Sequence, residues 1–113
     1  MNKYHARSVD YDGYHFDSQK EYVRYQELKL LQKAGEIIDI AVHPEFILLD
    51  KFTYRGQVIQ GIKYSPDFMY TECNGETKVI EEVKGGKATR TRDFELRRKL
   101  FLHKYPDFDY RII

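Results

Sequence analysis

The spacing of residues 64–85 is able to bring two carboxylates and an amine to one spot. Tyr64-Ser65-Pro66-Asp67-Phe68 and Ile80-Glu81-Glu82-Val83-Lys84-Gly85 flank the pair Asn74-Gly75. Asn-Gly between two β-type runs predicts a hairpin, because a type I′ turn needs positive φ at both central residues. With Asn74 and Gly75 as the turn residues, Cys73 faces Glu76, Glu72 faces Thr77 and Asp67 faces Glu82. Directly opposed Cβ atoms lie roughly 4.5–5.5 Å apart, and like charges there are destabilising unless a cation lies between them. Glu82 and Lys84 are two residues apart, so strand alternation sends both to one face. Of the adjacent Glu81 and Glu82, only Glu82 has this spacing to Lys84. Two carboxylates beside an ammonium can grip a hard divalent metal and orient a water next to it.

The elements that must position these groups are legible on either side. Residues 1–16 are rich in aromatics, with a tight turn at Tyr11-Asp12-Gly13-Tyr14. Ser18-Gln19-Lys20-Glu21 has the form of a capping box, and Ala34-Gly35 supplies a stop, which predicts a helix of about 16 residues. At ~100° per residue, Glu21, Tyr25, Leu28 and Gln32 share one side of it, with Leu31 adjacent. Glu21 thus heads the apolar stripe and should point toward whatever the helix packs on. The period then changes to that of strands: Ile37–Ala41, Glu45–Tyr54, Val58–Lys63 after an Arg55-Gly56 turn, Asp67–Glu72 and Lys78–Lys84. A basic glycine-containing loop, 85–91, leads into a second helix from about Arg92 to Lys104, with Phe94, Phe101 and Tyr105 on one stripe. Pro106 blocks its continuation, and Phe108–Ile113 is a last strand. The order predicts an α/β sandwich (α+β) with a mainly antiparallel sheet, whose last strand joins in parallel after a right-handed crossover.

One domain accounts for 113 residues. A hydrophobic content of 42%, with ten Tyr and seven Phe, is that of a packed protein rather than a disordered one. No apolar run approaches a membrane span or a signal peptide, and the single cysteine, Cys73, excludes an intrachain disulfide. Both features predict a soluble cytoplasmic protein. Net charge is only +1, but its distribution is uneven. The first 83 residues hold ten Lys/Arg against fourteen Asp/Glu, whereas Lys84 to Lys104 holds eight Lys/Arg against Asp93 and Glu95. A basic segment following an acidic pocket suits a protein that cuts a polyanion with a bound cation. His5, His15, His43 and His103 are scattered, with no pair at ligand spacing on a common element, which argues against a zinc or histidine-metal site. No glycine-rich phosphate loop is present, so a nucleotide cofactor is not expected.

Tyr64-Ser65-Pro66-Asp67-Phe68, then Glu82-Val83-Lys84-Gly85, then Arg97-Arg98-Lys99-Leu100, then Tyr105-Pro106-Asp107 with Arg111-Ile112, together resemble the PD-(D/E)XK nuclease superfamily. Within it they are similar to the phage endonuclease I type of Holliday-junction resolvase. Phe16-Asp17-Ser18 with Glu21 resembles the first helix of that group, so the similarity runs from Phe16 to Ile113. The resemblance implies a restriction-endonuclease-like sandwich with an αβββαβ core, spanning 1–113 as one nuclease domain. Residues 1–16 would form an arm available for dimer contact. It implies that Asp67 and Glu82 are metal-binding carboxylates, that Lys84 is the motif lysine, that Glu21 completes the metal site and that the Val83 backbone carbonyl adds a ligand.

Phosphodiester hydrolysis needs a nucleophilic water, neutralisation of charge on the phosphoryl oxygens and help for the departing alkoxide, all of which a divalent cation can supply. The expected cofactor is Mg²⁺, with Mn²⁺ as a substitute. The expected activity is that of an endodeoxyribonuclease on branched DNA in phage recombination or DNA processing, in an infected or lysogenic bacterial host. A nicking or duplex endonuclease without branch preference and a catalytically inactive DNA-binding module are the alternatives. Lys87, Arg90, Arg92, Arg97, Arg98 and Lys99 are the candidate phosphate contacts, and a homodimer is expected, since two strands must be cut symmetrically.

Overall fold

The computed structural model describes residues 7–85 and 90–113. A short hairpin comes first, β1 (Val9–Tyr11) and β2 (Tyr14–Phe16), followed by α1 (Gln19–Lys33) and β3 (Ile37–Val42). Next come β4 (Phe46–Leu49), β5 (Phe52–Tyr54), β6 (Gln57–Ile59) and β7 (Ile62–Tyr64). The chain closes with β8 (Phe68–Glu72), β9 (Lys78–Glu82), α2 (Arg92–Lys104) and β10 (Asp109–Ile112). The main sheet has four strands in the order β10-β9-β8-β3, antiparallel except for β10, which lies parallel to β9. The fold is therefore mixed α+β, with two helices among the described residues and mainly antiparallel sheets.

Strand alternation divides this sheet into two apolar faces. Phe68, Tyr70 and Val79 point to one side and pack with Tyr25 and Leu28 of α1 and with Phe16. Met69, Ile80 and Tyr110 point to the other and pack with Phe101 of α2, Tyr64 and Phe46. Each helix thus buries its stripe on a different face. The spacing of Glu21, Tyr25 and Leu28 is realised, since these are the three buried residues of α1. Both helices start where the cap chemistry says they should: Ser18 accepts a hydrogen bond from the Glu21 N–H at 3.1 Å and Thr91 from the Phe94 N–H at 3.1 Å. Ser18→Ala is expected to cost ~1 kcal/mol, seen as a fall of roughly 4–8 °C in Tm by circular dichroism.

The two long strands expected at 45–54 and 58–63 are each split in two. Pairing runs Phe46↔Tyr64 and Ile47↔Lys63, then slips by one residue to Leu49↔Ile62 and keeps that offset through Phe52↔Ile59 and Tyr54↔Gln57. The slip is a bulge, which bends the hairpin and interrupts the ladder. Gly61 sits at the break, where a Cβ would come within 2.5 Å of the Leu49 carbonyl oxygen. The backbones approach too closely there for any side chain, and period-2 patterning carries no sign of it. Arg55 and Gly56, at φ 48° and 77°, form the expected tight turn at the tip.

The N-terminal hairpin lies against α1. Tyr11 and Tyr22 rings meet edge to face at 5.3 Å, Phe16 and Tyr25 pack tilted at 5.1 Å, and Tyr25 donates a hydrogen bond to Asp12 at 2.9 Å. Among the described residues, no helix is long and apolar enough to cross a membrane.

Candidate metal centre

The β8–β9 ladder pairs Phe68 with Glu81, Met69 with Ile80 and Thr71 with Lys78, so the next pair outward is Asp67 with Glu82. Two hydrogen bonds fasten that end of the ladder: the Asp67 N–H donates to the Glu81 carbonyl at 3.1 Å, and the Val83 N–H donates to Asp67 Oδ2 at 2.7 Å. The register read from the sequence holds, but the turn chemistry behind it does not. Positive φ falls on Gly75 (96°) and Glu76 (59°), not on Asn74. Residues 73–76 form a four-residue loop closed by the Glu72 N–H on the Thr77 carbonyl at 2.8 Å. Glu72 faces Thr77 with either turn, which is why the pairing survives the change.

Asp67, Glu82 and Lys84 share the face covered by α2. Glu82 is buried at 5% exposure, and Tyr64 donates its hydroxyl to Glu82 Oε1 at 2.5 Å while lying 2.6 Å from the Tyr110 hydroxyl. Lys84 Nζ stands 3.8 Å from Glu82 Oε2 and 4.0 Å from the centre of the Phe94 ring. Burial, reinforced by the charges of Glu82 and Glu21, pushes the Asp67 carboxyl up to about 8. Burial also raises Glu82, while the Tyr64 hydroxyl, Lys84 and a hydrogen bond with Asp67 oppose the rise. A cleft of about 530 Å³ opens over these groups and is also lined by Lys63, Ser65, Thr91 and Arg97.

Glu21 arrives from the other face, at the end of the sheet. Its carboxylate lies 2.7 Å from His43 Nε2. His43 is a candidate ligand that the scatter of the four histidines along the sequence argued against. It follows β3 with a left-handed backbone (φ 52°), and its N–H donates to the Asp67 carbonyl at 2.9 Å. The reason it stands there lies four residues upstream. Ile37↔Glu72 and Ile38↔Thr71 set one register, and Ala41↔Met69 and Val42↔Phe68 set another, shifted by one around Asp39 at φ 57°. An unbroken ladder would bring Val42 opposite Asp67, whereas the bulge brings His43 there. An Asp that tolerates left-handed backbone in mid-strand is the only local signal. Ligating atoms of Glu21, His43 and Asp67 all lie within 4.8 Å of one another.

Glu81, one residue before Glu82, points to the opposite face and is fully buried. Arg24 of α1 grips it with two donors, Nε at 2.8 Å and Nη2 at 2.6 Å, and the Tyr70 hydroxyl donates to it at 2.5 Å. Its oxygens are committed to this ion pair, so Glu82 alone of the two carboxylates faces the cleft.

The candidate phosphate contacts divide. Arg97 reaches the cleft, donating to the Lys63 carbonyl at 2.5 Å and to Asp93 at 3.0 Å. Arg98 lies against the sheet, over the Tyr110 ring at 5.6 Å, with its buried Nε lacking a hydrogen-bond partner. Arg92 and Lys99, a heptad apart and so close to one helix face, are exposed. Arg90 pairs with Glu95 at 2.7 Å. Lys87 lies outside the described residues. The Val83 N–H is committed to Asp67, which places this residue at the rim of the site between Glu82 and Lys84.

A divalent cation fits this donor set. Glu21, His43 and Asp67 each offer a ligand atom within one 4.8 Å group, and Glu82, which is outside that group, adds its charge beside Asp67, so the oxygens a hard cation takes are present together with one imidazole. No curated protein and no solved structure gives a significant match to the chain. A family model described as "Protein of unknown function (DUF1064)" matches residues 1–113, and the chain belongs to that family.

Proposed function

We propose that this chain is a metal-dependent endodeoxyribonuclease of the PD-(D/E)XK type, built on the restriction-endonuclease-like αβββαβ sandwich and preferring branched DNA such as a Holliday junction. One observation carries the reading. Asp67, Glu82 and Lys84 lie together at the end of one hairpin, on one face and at the mouth of one cleft, with the buried Glu21 carboxylate brought to Asp67 from a separate helix. Alternation along a strand makes Glu-x-Lys common. Joining it to an opposed Asp and an inward helical Glu is not a product of patterning alone.

Asp67, Glu82 and Glu21, with the Val83 carbonyl beside them in the chain, would hold Mg²⁺ or Mn²⁺. The bound cation would supply a water of lowered pKa and offset charge on the phosphoryl oxygens. Lys84, kept near Glu82 and against the Phe94 ring, is placed to orient that water or to meet charge in the transition state. Tyr64 holds Glu82 in one rotamer through a short hydrogen bond. Lys63 and Arg97 at the cleft wall, with Arg92 and Lys99 beyond, suit a phosphate backbone and make binding salt-dependent. Symmetric cutting of two strands calls for an isologous homodimer.

The test is incubation of supercoiled plasmid and a synthetic four-way junction with Mg²⁺ or Mn²⁺, beside Lys84→Ala. Junction cleavage faster than plasmid nicking, lowered about 100-fold or more in Lys84→Ala, is the expected result. Equal cutting of both substrates would replace branch selectivity with general nicking. Junction binding without any cleavage would leave a DNA-binding module.

A further inference from the structure

We infer that His43 is a metal ligand, and that the cation it shares with Glu21 and Asp67 is one that accepts an imidazole nitrogen, Mn²⁺ in preference to Mg²⁺. The inference deepens the metal-dependent reading above and rests on it. Neighbouring ligands bound at ~2.0–2.2 Å and 90° apart lie about 3 Å from each other. His43 Nε2 and Glu21 Oε1 are 2.7 Å apart, and an Asp67 oxygen completes a group no wider than 4.8 Å. A cation shared by the two would lie between atoms already this close.

The imidazole is held there by the fold. The bulge at Asp39 sets the register of β3, the His43 N–H is fixed on the Asp67 carbonyl at 2.9 Å, and the Phe16 ring stands 6.2 Å from the imidazole. Those restraints place Nε2 before any ion arrives, which limits the ordering cost of binding. Mg²⁺ is an oxygen-seeking ion that keeps its waters, whereas first-row divalent ions take nitrogen and carboxylate together. Glu82 is not a member of this group and has Lys84 Nζ at 3.8 Å, so His43 and Lys84 meet different carboxylates of the set.

The experiment is pulsed EPR of the protein loaded with Mn²⁺, with Mn²⁺ and Mg²⁺ titrations by calorimetry, on wild type and His43→Asn. Asn tolerates the left-handed backbone at this position, so the variant removes the ring and keeps the turn. Nitrogen-14 modulation from one imidazole in wild type, lost in His43→Asn, with Mn²⁺ affinity reduced about 10–100-fold and Mg²⁺ affinity changed less than the Mn²⁺ affinity, is the expected outcome. Bound Mn²⁺ without nitrogen modulation, or modulation that persists in His43→Asn, overturns the inference and leaves the carboxylate site standing. Failure of wild type to bind either ion removes the underlying metal reading and this inference with it.

Discussion

Glu81→Gln and Glu82→Gln, adjacent in the chain, are expected to fail in opposite ways. Glu81→Gln removes the buried counter-charge of the Arg24 guanidinium, leaving it only the exposed Glu27 at 3.1 Å, and weakens the hydrogen bond from Tyr70. Removing one partner of a buried pair costs ~3–5 kcal/mol, and the 20% exposure of the Arg24 side chain lowers the expectation to about 2–4 kcal/mol. Glu82→Gln removes a carboxylate that burial raises and that opposes ionisation of Asp67, so the metal-free protein should melt no lower than wild type at pH 8. Its DNA cleavage, by contrast, should drop about 10³-fold, the scale of several kcal/mol of lost charge stabilisation at the phosphoryl group. Thermal melts and the junction assay on the same two preparations decide this. Cleavage retained in Glu82→Gln, or a Tm loss there equal to that of Glu81→Gln, would mean that Glu82 is structural.

That contrast follows from what a sequence encodes well and what it does not. Period-2 alternation separates Glu81 from Glu82, and the 3.6-residue stripe turns Glu21 inward, so both were legible from spacing alone. The Asp67↔Glu82 pairing was legible for a partly mistaken reason: a two-residue and a four-residue loop give the same register when Glu72 faces Thr77. Features that depend on an inserted residue were not legible. The bulge near Asp39 decides whether Val42 or His43 stands opposite Asp67, and the slip before Leu49 splits the long hairpin. Each is one extra residue in a ladder whose partner strand is distant in the chain, and its cost or gain is set by tertiary contacts rather than by local propensity. Tyr64 was in view as part of the hairpin, but its role depends on Glu82 and Tyr110 meeting it from two other strands.

With the divalent ions chelated, stability is expected to fall as pH rises from about 4 to about 8, and saturating Mn²⁺ or Mg²⁺ should abolish most of that fall. The folded chain holds the Asp67 proton up to about 8, whereas in the unfolded chain an aspartate loses it near 3.8. Between those values the folded state binds the extra proton, so raising the pH favours unfolding through the whole window. The cause is burial first and the charges of Glu82 and Glu21 second. A divalent cation counters both, since it pairs the charges and binds only where they converge. The metal-induced rise in Tm should therefore be larger at pH 8 than at pH 5. A tenfold change in proton affinity is ~1.4 kcal/mol, which in a domain of this size moves Tm by roughly 4–8 °C. His15, raised by its hydrogen bond to Asp10, adds a slope of the same sign near neutrality, so the decisive comparison is with Asp67→Asn in the same buffers. That variant should lose the wild-type excess slope and respond weakly to metal. Identical pH profiles and identical metal shifts in the two proteins would show that the carboxylates at 21, 67 and 82 do not act as one charged site, and the metal-dependent chemistry proposed for the cleft would have no foundation.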